Sequence, residues 1–280
     1  MKEKRAWAIL VVVGLCCVGF IWYQISLQSR VDHTPPKISF PDGALEISVE
    51  SDTDELLADV TARDDVDGDV TDLLIVEGIS AIGEDHTVQV TYAAFDRSGN
   101  VAKQQRTVRY TDYQSPHFTL SQPLFFRSGS RFDVFDYVSA EDKIDGSLDG
   151  RIKATLVAGD TGITEPGVHE VQFRVTNSMG DTAYLTVPVE VYAAADYNAT
   201  VELTQPLVYL QTGDVFRAGA YLASFTYGSV SVDLGSEASS VDVSVDSDVN
   251  TNQPGCYSVS YIVRSGTYTG HTRLIVVVEE

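Results

Sequence analysis

A short motif that occurs twice constrains this chain more than any other feature of its sequence. Residues 60–70 read VTARDDVDGDV, and residues 138–148 read VSAEDKIDGSL. Each copy is followed by a second shared segment, VTYAA at residues 90–94 and VQFRV at residues 171–175. Self-similarity at a fixed spacing is the signature of repeated structural units. We therefore expect at least two copies of one domain.

A third copy keeps only the later part of the repeat. Residues 254–263 read PGCYSVSYIV and match PGVHEVQFRV at residues 166–175, whereas the Asp/Gly motif is replaced by FTYGSV at residues 225–230. The third copy is therefore degenerate. The domain boundaries that we predict are 33–112, 113–194 and 195–280.

Alternation of apolar and polar residues predicts that each copy is built from β-strands. Val88, Val90 and Tyr92 alternate with polar neighbours, and the same pattern recurs over residues 169–175 and 257–263. Period-two alternation is typical of half-buried strands. Turn residues separate the strands, so the last two strands of each copy should form a hairpin. Short strands at this spacing predict an all-β fold of three tandem immunoglobulin-like β-sandwich domains.

An uncharged segment at the N-terminus predicts a membrane anchor. Residues 6–23 carry no charge, and Ile25 and Leu27 extend the apolar character, so residues 6–27 have about the 20 residues needed to cross a bilayer. Basic residues in the tail 1–5 predict a cytoplasmic N-terminus, with the domains beyond the linker 28–32 outside the cell. The expected localisation is therefore the cell membrane, in a single pass.

A cleaved signal peptide is the alternative interpretation of this segment. A signal peptide has a shorter apolar core and small residues at its cleavage site. Here the segment ends in the bulky residues 20–23, which read FIWY. Length and flanking residues therefore favour an uncleaved anchor.

Charge and cysteine content restrict the class of protein further. The formal net charge of −21 disfavours nucleic-acid binding and favours basic partners or cations, although acidic residues also serve solubility alone. Cys16 and Cys17 lie in the apolar segment, so Cys256 stands alone outside it. A disulfide-free exported β protein points to a bacterial source.

The first copy resembles a known family of domains. The segments TPPKI at residues 34–38, VTARDDVDGDVT at residues 60–71 and FDRSGNVA at residues 95–102 are similar to the bacterial surface immunoglobulin-like domains of Gram-positive exported proteins. The resemblance covers the first copy and weakens in the second and third. It implies a modular spacer or binding domain without catalytic residues, and it implies no ligand.

Four aspartates around a glycine form a candidate Ca²⁺ site. Asp64, Asp65, Asp67 and Asp69 surround Gly68, and oxygen ligands at alternating positions beside a glycine turn suit Ca²⁺. Asp96, in a later turn, is a further candidate neighbour of these aspartates. The twelve-residue loop with a final bidentate glutamate is absent. The alternative is that these side chains cap backbone amides while Gly68 adopts a positive φ.

Tyrosines at the two domain junctions are candidates for interdomain packing. Tyr113 and Tyr197 each follow an aspartate just before the next copy. Short aromatic linkers favour docked domains, although each tyrosine can instead end a strand of its own domain.

The sequence predicts no enzyme. None of the five histidines pairs with another at metal-ligand spacing, and no nucleophile motif is present. We expect a membrane-anchored extracellular spacer or protein-binding module whose partner is a surface protein or a cell-wall polymer. The alternative is an adhesin for cell-wall or host glycans, which needs exposed aromatic residues.

Overall fold

The computed structural model describes residues 13–23, 32–83, 85–157, 163, 165–193, 195–235 and 241–280. Within these ranges the chain is mostly β-strand, as the alternation predicted. Six sheets form three two-sheet domains, which follow one another along the chain. The chain divides into two compact units, Met1–Asp112 with the first domain and Tyr113–Glu280 with the second and third.

The first domain has two sheets, with strand orders β1-β3-β4 and β2-β7-β6-β5. Its strands are β1 (Lys37–Ser39), β2 (Leu45–Ile47), β3 (Thr61–Asp64), β4 (Gly68–Asp69), β5 (Leu74–Ile79), β6 (Thr87–Phe95) and β7 (Val101–Tyr110).

The second domain repeats this arrangement, with strand orders β8-β10-β11 and β9-β14-β13-β12. Its strands are β8 (His117–Leu120), β9 (Phe125–Arg127), β10 (Val138–Asp142), β11 (Gly146–Ser147), β12 (Lys153–Leu156), β13 (Gly167–Thr176) and β14 (Thr182–Tyr192).

The third domain keeps the same topology although its sequence is degenerate, with strand orders β15-β17-β18 and β16-β21-β20-β19. Its strands are β15 (Thr200–Leu203), β16 (Leu207–Gln211), β17 (Leu222–Tyr227), β18 (Val230–Asp233), β19 (Asp242–Ser247), β20 (Gly255–Ser265) and β21 (Tyr268–Glu279).

The longest hairpin of each domain is the one that the turn residues predicted. The pairs β6–β7, β13–β14 and β20–β21 are antiparallel. In each domain a short early strand also pairs in parallel with the last strand. The early strand thus becomes an edge strand of the second sheet. The alternating apolar residues fill the space between the two sheets. Tyr92, Phe173 and Tyr261 occupy equivalent, fully buried positions in these hairpins.

Helices are short in the described part of the chain. Residues 13–23 are helical, and the rest of the predicted anchor, residues 6–12 and 24–27, lies outside the described residues. Among the described residues, no helix is long and apolar enough to cross a membrane. The other helical segments are an α-helix at Thr53–Leu57 and 3₁₀ turns at Thr71–Leu73, Val134–Asp136, Asp149–Arg151 and Ala218–Tyr221.

Candidate functional site

The Asp/Gly motif of the first domain forms a tight turn after β3. The Oδ1 atom of Asp64 accepts hydrogen bonds from the amides of Val66 and Asp67, both at 2.8 Å. Gly68 has a φ of 77°, which favours glycine. Asp69 accepts a hydrogen bond from the amide of Thr71 at 3.0 Å. Aspartate side chains therefore cap the backbone of this turn.

Asp64 also belongs to a group of three carboxylates, which we call the acidic cluster: Asp32, Asp64 and Asp96. Each offers an oxygen atom that lies within 4.8 Å of those of the other two. Asp64 is 3% exposed and Asp96 is 5% exposed. The cluster joins the start of the first domain to the turns that follow β3 and β6. Of the described residues, these three are the ones placed to share a metal ion.

The other aspartates of the motif lie outside the acidic cluster. Asp65 is exposed. Asp67 accepts a hydrogen bond from the amide of Arg97 at 2.8 Å and lies 3.9 Å from its guanidinium group. Asp69 accepts from the amide of Thr71, the first residue of the following 3₁₀ turn. The sequence therefore singled out Asp64, offered Asp96 as a candidate neighbour and missed Asp32.

Asn100 holds Asp96 in its charged form. Burial by itself raises the pKa of the Asp96 carboxyl, but hydrogen bonds from Asn100 and the neighbouring amides outweigh it and lower the pKa. The amide and the side chain of Asn100 both donate to Asp96 at 2.7 Å. The Asn100 side chain also donates to the carbonyl of Asp32 at 3.1 Å. Asn100 therefore ties two members of the cluster together.

The second domain has a version of the same arrangement in which one carboxylate is replaced by an amide. The Oδ1 atom of Asp142 accepts from the amides of Ile144 and Asp145, as Asp64 does in the first domain. Its Oδ2 atom accepts from the Nδ2 atom of Asn177 at 2.8 Å. Asn177 occupies the position of Asp96, so an amide donor stands where the first domain has a carboxylate.

Tyr113 completes this hydrogen-bonded network inside the second domain. Its hydroxyl donates to Asp181 at 2.6 Å and accepts from Asn177 at 2.9 Å. Burial is the largest cause that raises the pKa of this phenol well above its usual value, and hydrogen bonding to Asp181 adds to it. Within its own unit, Tyr113 therefore joins the start of the second domain to the turn before β14.

Tyr197 lies among aromatic rings from the second and third domains. Its ring stacks on His271 of β21, with centroids 5.2 Å apart. It also contacts Phe125 of β9 at 5.6 Å and Tyr192 of β14 at 5.5 Å. The structure thus brings Tyr197 to the boundary between these two domains. We call this boundary, where β16 and β21 of the third domain pack against the second domain, the seam.

The apolar part of the seam is formed by β16 and β21 of the third domain. Leu207 and Ile275 pack in the hydrophobic core of the second domain, while their neighbours Val208 and Val276 pack in the core of the third. The two strands are therefore covered on both faces. This explains why residues 274–278 read LIVVV without alternation.

Polar contacts cross the seam beside this apolar layer. The guanidinium group of Arg273 donates to Glu190 of β14 at 2.9 Å, and the Nδ1 atom of His271 lies 3.5 Å from the same carboxylate. The hydroxyl of Tyr209 accepts from the amide of Phe118 at 3.0 Å. Burial raises the pKa of Tyr209 to about 12. Burial also lowers the pKa of His271, although the charge of Glu190 opposes this effect.

A groove of about 400 Å³ opens beside the seam. It is lined by Pro123, Phe125 and Tyr192 of the second domain and by Glu202 and His271 of the third. The groove therefore presents aromatic and acidic side chains together.

The strand pairing defines the class of protein, a chain of tandem immunoglobulin-like β-sandwich domains. No protein-family model matches the sequence, and no curated protein matches it. Similar solved structures include a human CDH23 fragment, EC21–23, with 17% sequence identity and a TM-score of 0.22. That match covers 87% of this chain and all of the fragment.

Two further structures show the same level of similarity. The extracellular domain of protocadherin gammaB4 has 13% identity and a TM-score of 0.21, and the match covers 88% of this chain and 44% of that chain. A structure of the CBM51-2 domain in complex with GlcNAc and INT domains, from Clostridium perfringens ZmpB, has 16% identity and a TM-score of 0.22. It covers 87% of this chain and 42% of that chain. Such TM-scores do not establish a common fold, so the fold rests on the strand pairing of the chain itself.

Proposed function

We propose that this chain is a non-catalytic surface protein of a Gram-positive bacterium, in which immunoglobulin-like domains act as a stiff extracellular spacer and binding module. Residues 6–27 anchor it in the membrane, and its partner is a surface protein or a wall polymer. The single observation that carries the proposal is the seam, where the second and third domains share one layer of buried strands.

The seam supports a spacer because it resists bending. Domains joined by a flexible linker alone move independently, whereas an apolar interface with ion pairs favours one arrangement. Leu207 and Ile275 would have to leave a hydrophobic core for the domains to separate. At about 25 cal/mol per Å² of apolar surface, exposing two such side chains costs about 3–6 kcal/mol.

Sequence supports the anchor. The segment 6–23 is uncharged. Three of the five residues before it are basic: Lys2, Lys4 and Arg5. A membrane-inserted helix with this charge asymmetry leaves the acidic domains outside the cell.

A strand at the edge of a sheet in the third domain, as the described residues show it, supports a binding role. β19 is the last strand of its sheet and carries Asp242 and Asp246, and Val245 on it is 45% exposed. An edge strand has unpaired backbone groups that can accept another strand. Its charge favours a basic segment of a partner protein.

Protease treatment of intact cells followed by site-specific photo-crosslinking tests the proposal. We expect the domains to be cleaved from the cell surface, and a photoreactive residue at Ser244 of β19 to capture a surface partner. A photoreactive residue at Gln172, an exposed position on the central strand β13 of the second domain, is the matched control. Protection of the domains from protease in intact cells would show that the chain is not extracellular and would contradict the proposal.

Glycan binding is a second candidate, because the groove beside the seam contains Phe125 and Tyr192. Aromatic rings can stack on sugars, but these two rings stack on each other at 4.4 Å. A glycan array probed with the full-length chain separates the two candidates. Binding that is lost in Tyr192→Ala would favour the glycan function over the protein-binding one.

A further inference from the structure

Asp64, a buried member of the acidic cluster, has a carboxylate oxygen without a hydrogen-bond partner in the described part of the chain. The Oδ1 atom of Asp64 is used by two backbone amides, but its Oδ2 atom is buried and has no hydrogen-bond partner among the described residues. The Oδ2 atom of Asp32 is in the same state. A buried carboxylate oxygen without a donor is costly, because it has lost its hydration and gained nothing in return.

The second domain shows what normally satisfies this oxygen. The Oδ1 atoms of Asn177 and Asp96 each accept a hydrogen bond from the backbone amide of the residue four positions later. The Nδ2 atom of Asn177 then donates to Asp142. The corresponding atom of Asp96 is an oxygen that accepts from the Asn100 side chain at 2.7 Å, so Asp96 offers Asp64 no donor. The first domain has therefore exchanged a hydrogen bond for two carboxylates that repel each other.

We propose that Asp32, Asp64 and Asp96 bind a divalent cation, for which Ca²⁺ has the matching chemistry. All three donors are carboxylate oxygens, which hard cations prefer. Two oxygens that each lie about 2.4 Å from one Ca²⁺ ion are at most about 4.8 Å apart, and the three side chains meet that limit. The ion takes the place of the amide donor that Asn177 supplies in the second domain.

The site lies where the chain enters the first domain. Asp32 lies at the end of the predicted linker, just before the first domain, and Asp64 and Asp96 belong to the turns after β3 and β6. A bound ion therefore links the start of the domain to two of its turns. The inference is independent of the proposed function, because it concerns the first domain alone.

Calcium titration of the full-length chain in detergent tests this proposal, with three variants for comparison. Asp96→Asn recreates the hydrogen bond of the second domain, so it removes a ligand while preserving the fold. Asp32→Asn is a second variant that removes a ligand. Its side-chain oxygen can still accept the hydrogen bond that the amide of Thr34 donates to Asp32. Asp65→Asn is the matched control, because it removes an exposed charge from the same motif without touching the cluster.

We expect calorimetric titration to show one Ca²⁺ ion per wild-type chain, and hydrogen exchange at residues 61–70 and 94–102 to slow when Ca²⁺ is added. A hundredfold excess over Kd should raise the melting temperature of the first domain by on the order of 10 °C. Both ligand variants should bind at least tenfold more weakly, and Asp65→Asn should bind as the wild type does.

Three results would overturn the proposal. The first is a wild-type chain that shows neither binding heat nor a Ca²⁺-dependent melting temperature. The second is a folded Asp96→Asn or Asp32→Asn variant with wild-type affinity. The third is stabilisation of the first domain by acid in place of Ca²⁺, which would mean that the carboxylates share a proton.

Discussion

At the scale of single residues, two buried tyrosines tie a central strand to the segment that covers it. The hydroxyl of Tyr92 donates to the carbonyl of Leu56 at 2.7 Å, and that of Tyr261 donates to the carbonyl of Ala218 at 2.7 Å. Phe173 occupies the equivalent position in the second domain, where no hydroxyl is available. The first and third domains therefore depend on a bond that the second lacks.

Removing either hydroxyl should destabilise its own domain. We expect Tyr92→Phe and Tyr261→Phe each to lower the free energy of unfolding by about 1–2 kcal/mol, because a covered carbonyl loses its donor. Urea unfolding followed by hydrogen exchange in each domain measures this. Tyr184→Phe is the control, since Tyr184 is 60% exposed. Unchanged unfolding of both buried variants would contradict the account.

His271 should make the seam sensitive to acid. Burial lowers its pKa in the folded chain, so the unfolded chain takes up the proton first as the pH falls. The stabilisation that the folded chain gains by burying the neutral His271 ring is present above about pH 6.5 and is lost as the pH falls below it. The charges of Glu190 and Arg273 act on the pKa of the ring in opposite directions, the first raising it and the second lowering it.

Melting curves between pH 7.5 and 5.5, values chosen to span the histidine range, test this prediction. We expect the melting temperature of the second and third domains to fall by about 1–4 °C per pH unit below about pH 6.5. His271→Gln should flatten this dependence. An equal slope in the wild type and the variant would assign the effect to another group.

At the scale of elements, β21 passes so close to its neighbours that one position must be glycine. A Cβ atom added at Gly270 would lie 2.8 Å from the Cγ2 atom of Val201 and 3.1 Å from the carbonyl of Ala199. β15 and β17 therefore pack directly on the backbone of β21. The contact lets the two sheets of the third domain approach each other.

Gly270→Ala should force these strands apart. We expect a loss of about 1–3 kcal/mol in the stability of the third domain, the usual cost of overpacking. Gly219→Ala is the control, because an added Cβ atom there meets nothing within 4 Å. Equal denaturation midpoints for the two variants would show that the sheets adapt without cost.

Element prediction from the sequence worked where the strands are long. Alternation over β6, β13 and β20 predicted their inward residues and their hairpins, because each has at least nine residues. Strands of two or three residues, such as β4 and β9, carry too little periodicity to predict. The helix Thr53–Leu57 was missed for the same reason, although Asp52 caps its first turn.

The two sites were predictable only in part. Asp64 was found because its motif is local, but Asp32 is far from it in the chain and follows no pattern. The seam did leave a signal: the uninterrupted apolar run at residues 274–278, typical of a strand that is buried on both faces. Alternation in β20 had suggested one buried face per strand, so the apolar run in β21 did not predict a contact between domains.

At the scale of the whole molecule, a stiff spacer requires a permanent seam between the second and third domains. Arg273 and Glu190 form an ion pair that is partly buried, and Tyr209 satisfies a backbone amide of the neighbouring domain. Truncation of a buried charge pair leaves the partner charge without compensation. We expect the double variant Tyr209→Phe, Arg273→Ala to loosen the seam while each domain stays folded.

The central measurement is the distance between spin labels on the second and third domains of the full-length chain. Cysteines at the exposed positions Val168 and Val245 carry the labels, after serine replaces Cys16, Cys17 and Cys256. We predict a single narrow distance distribution in the otherwise unaltered chain and a broader one in the double variant. A broad distribution without the seam substitutions would contradict the claim that these two domains form one stiff unit.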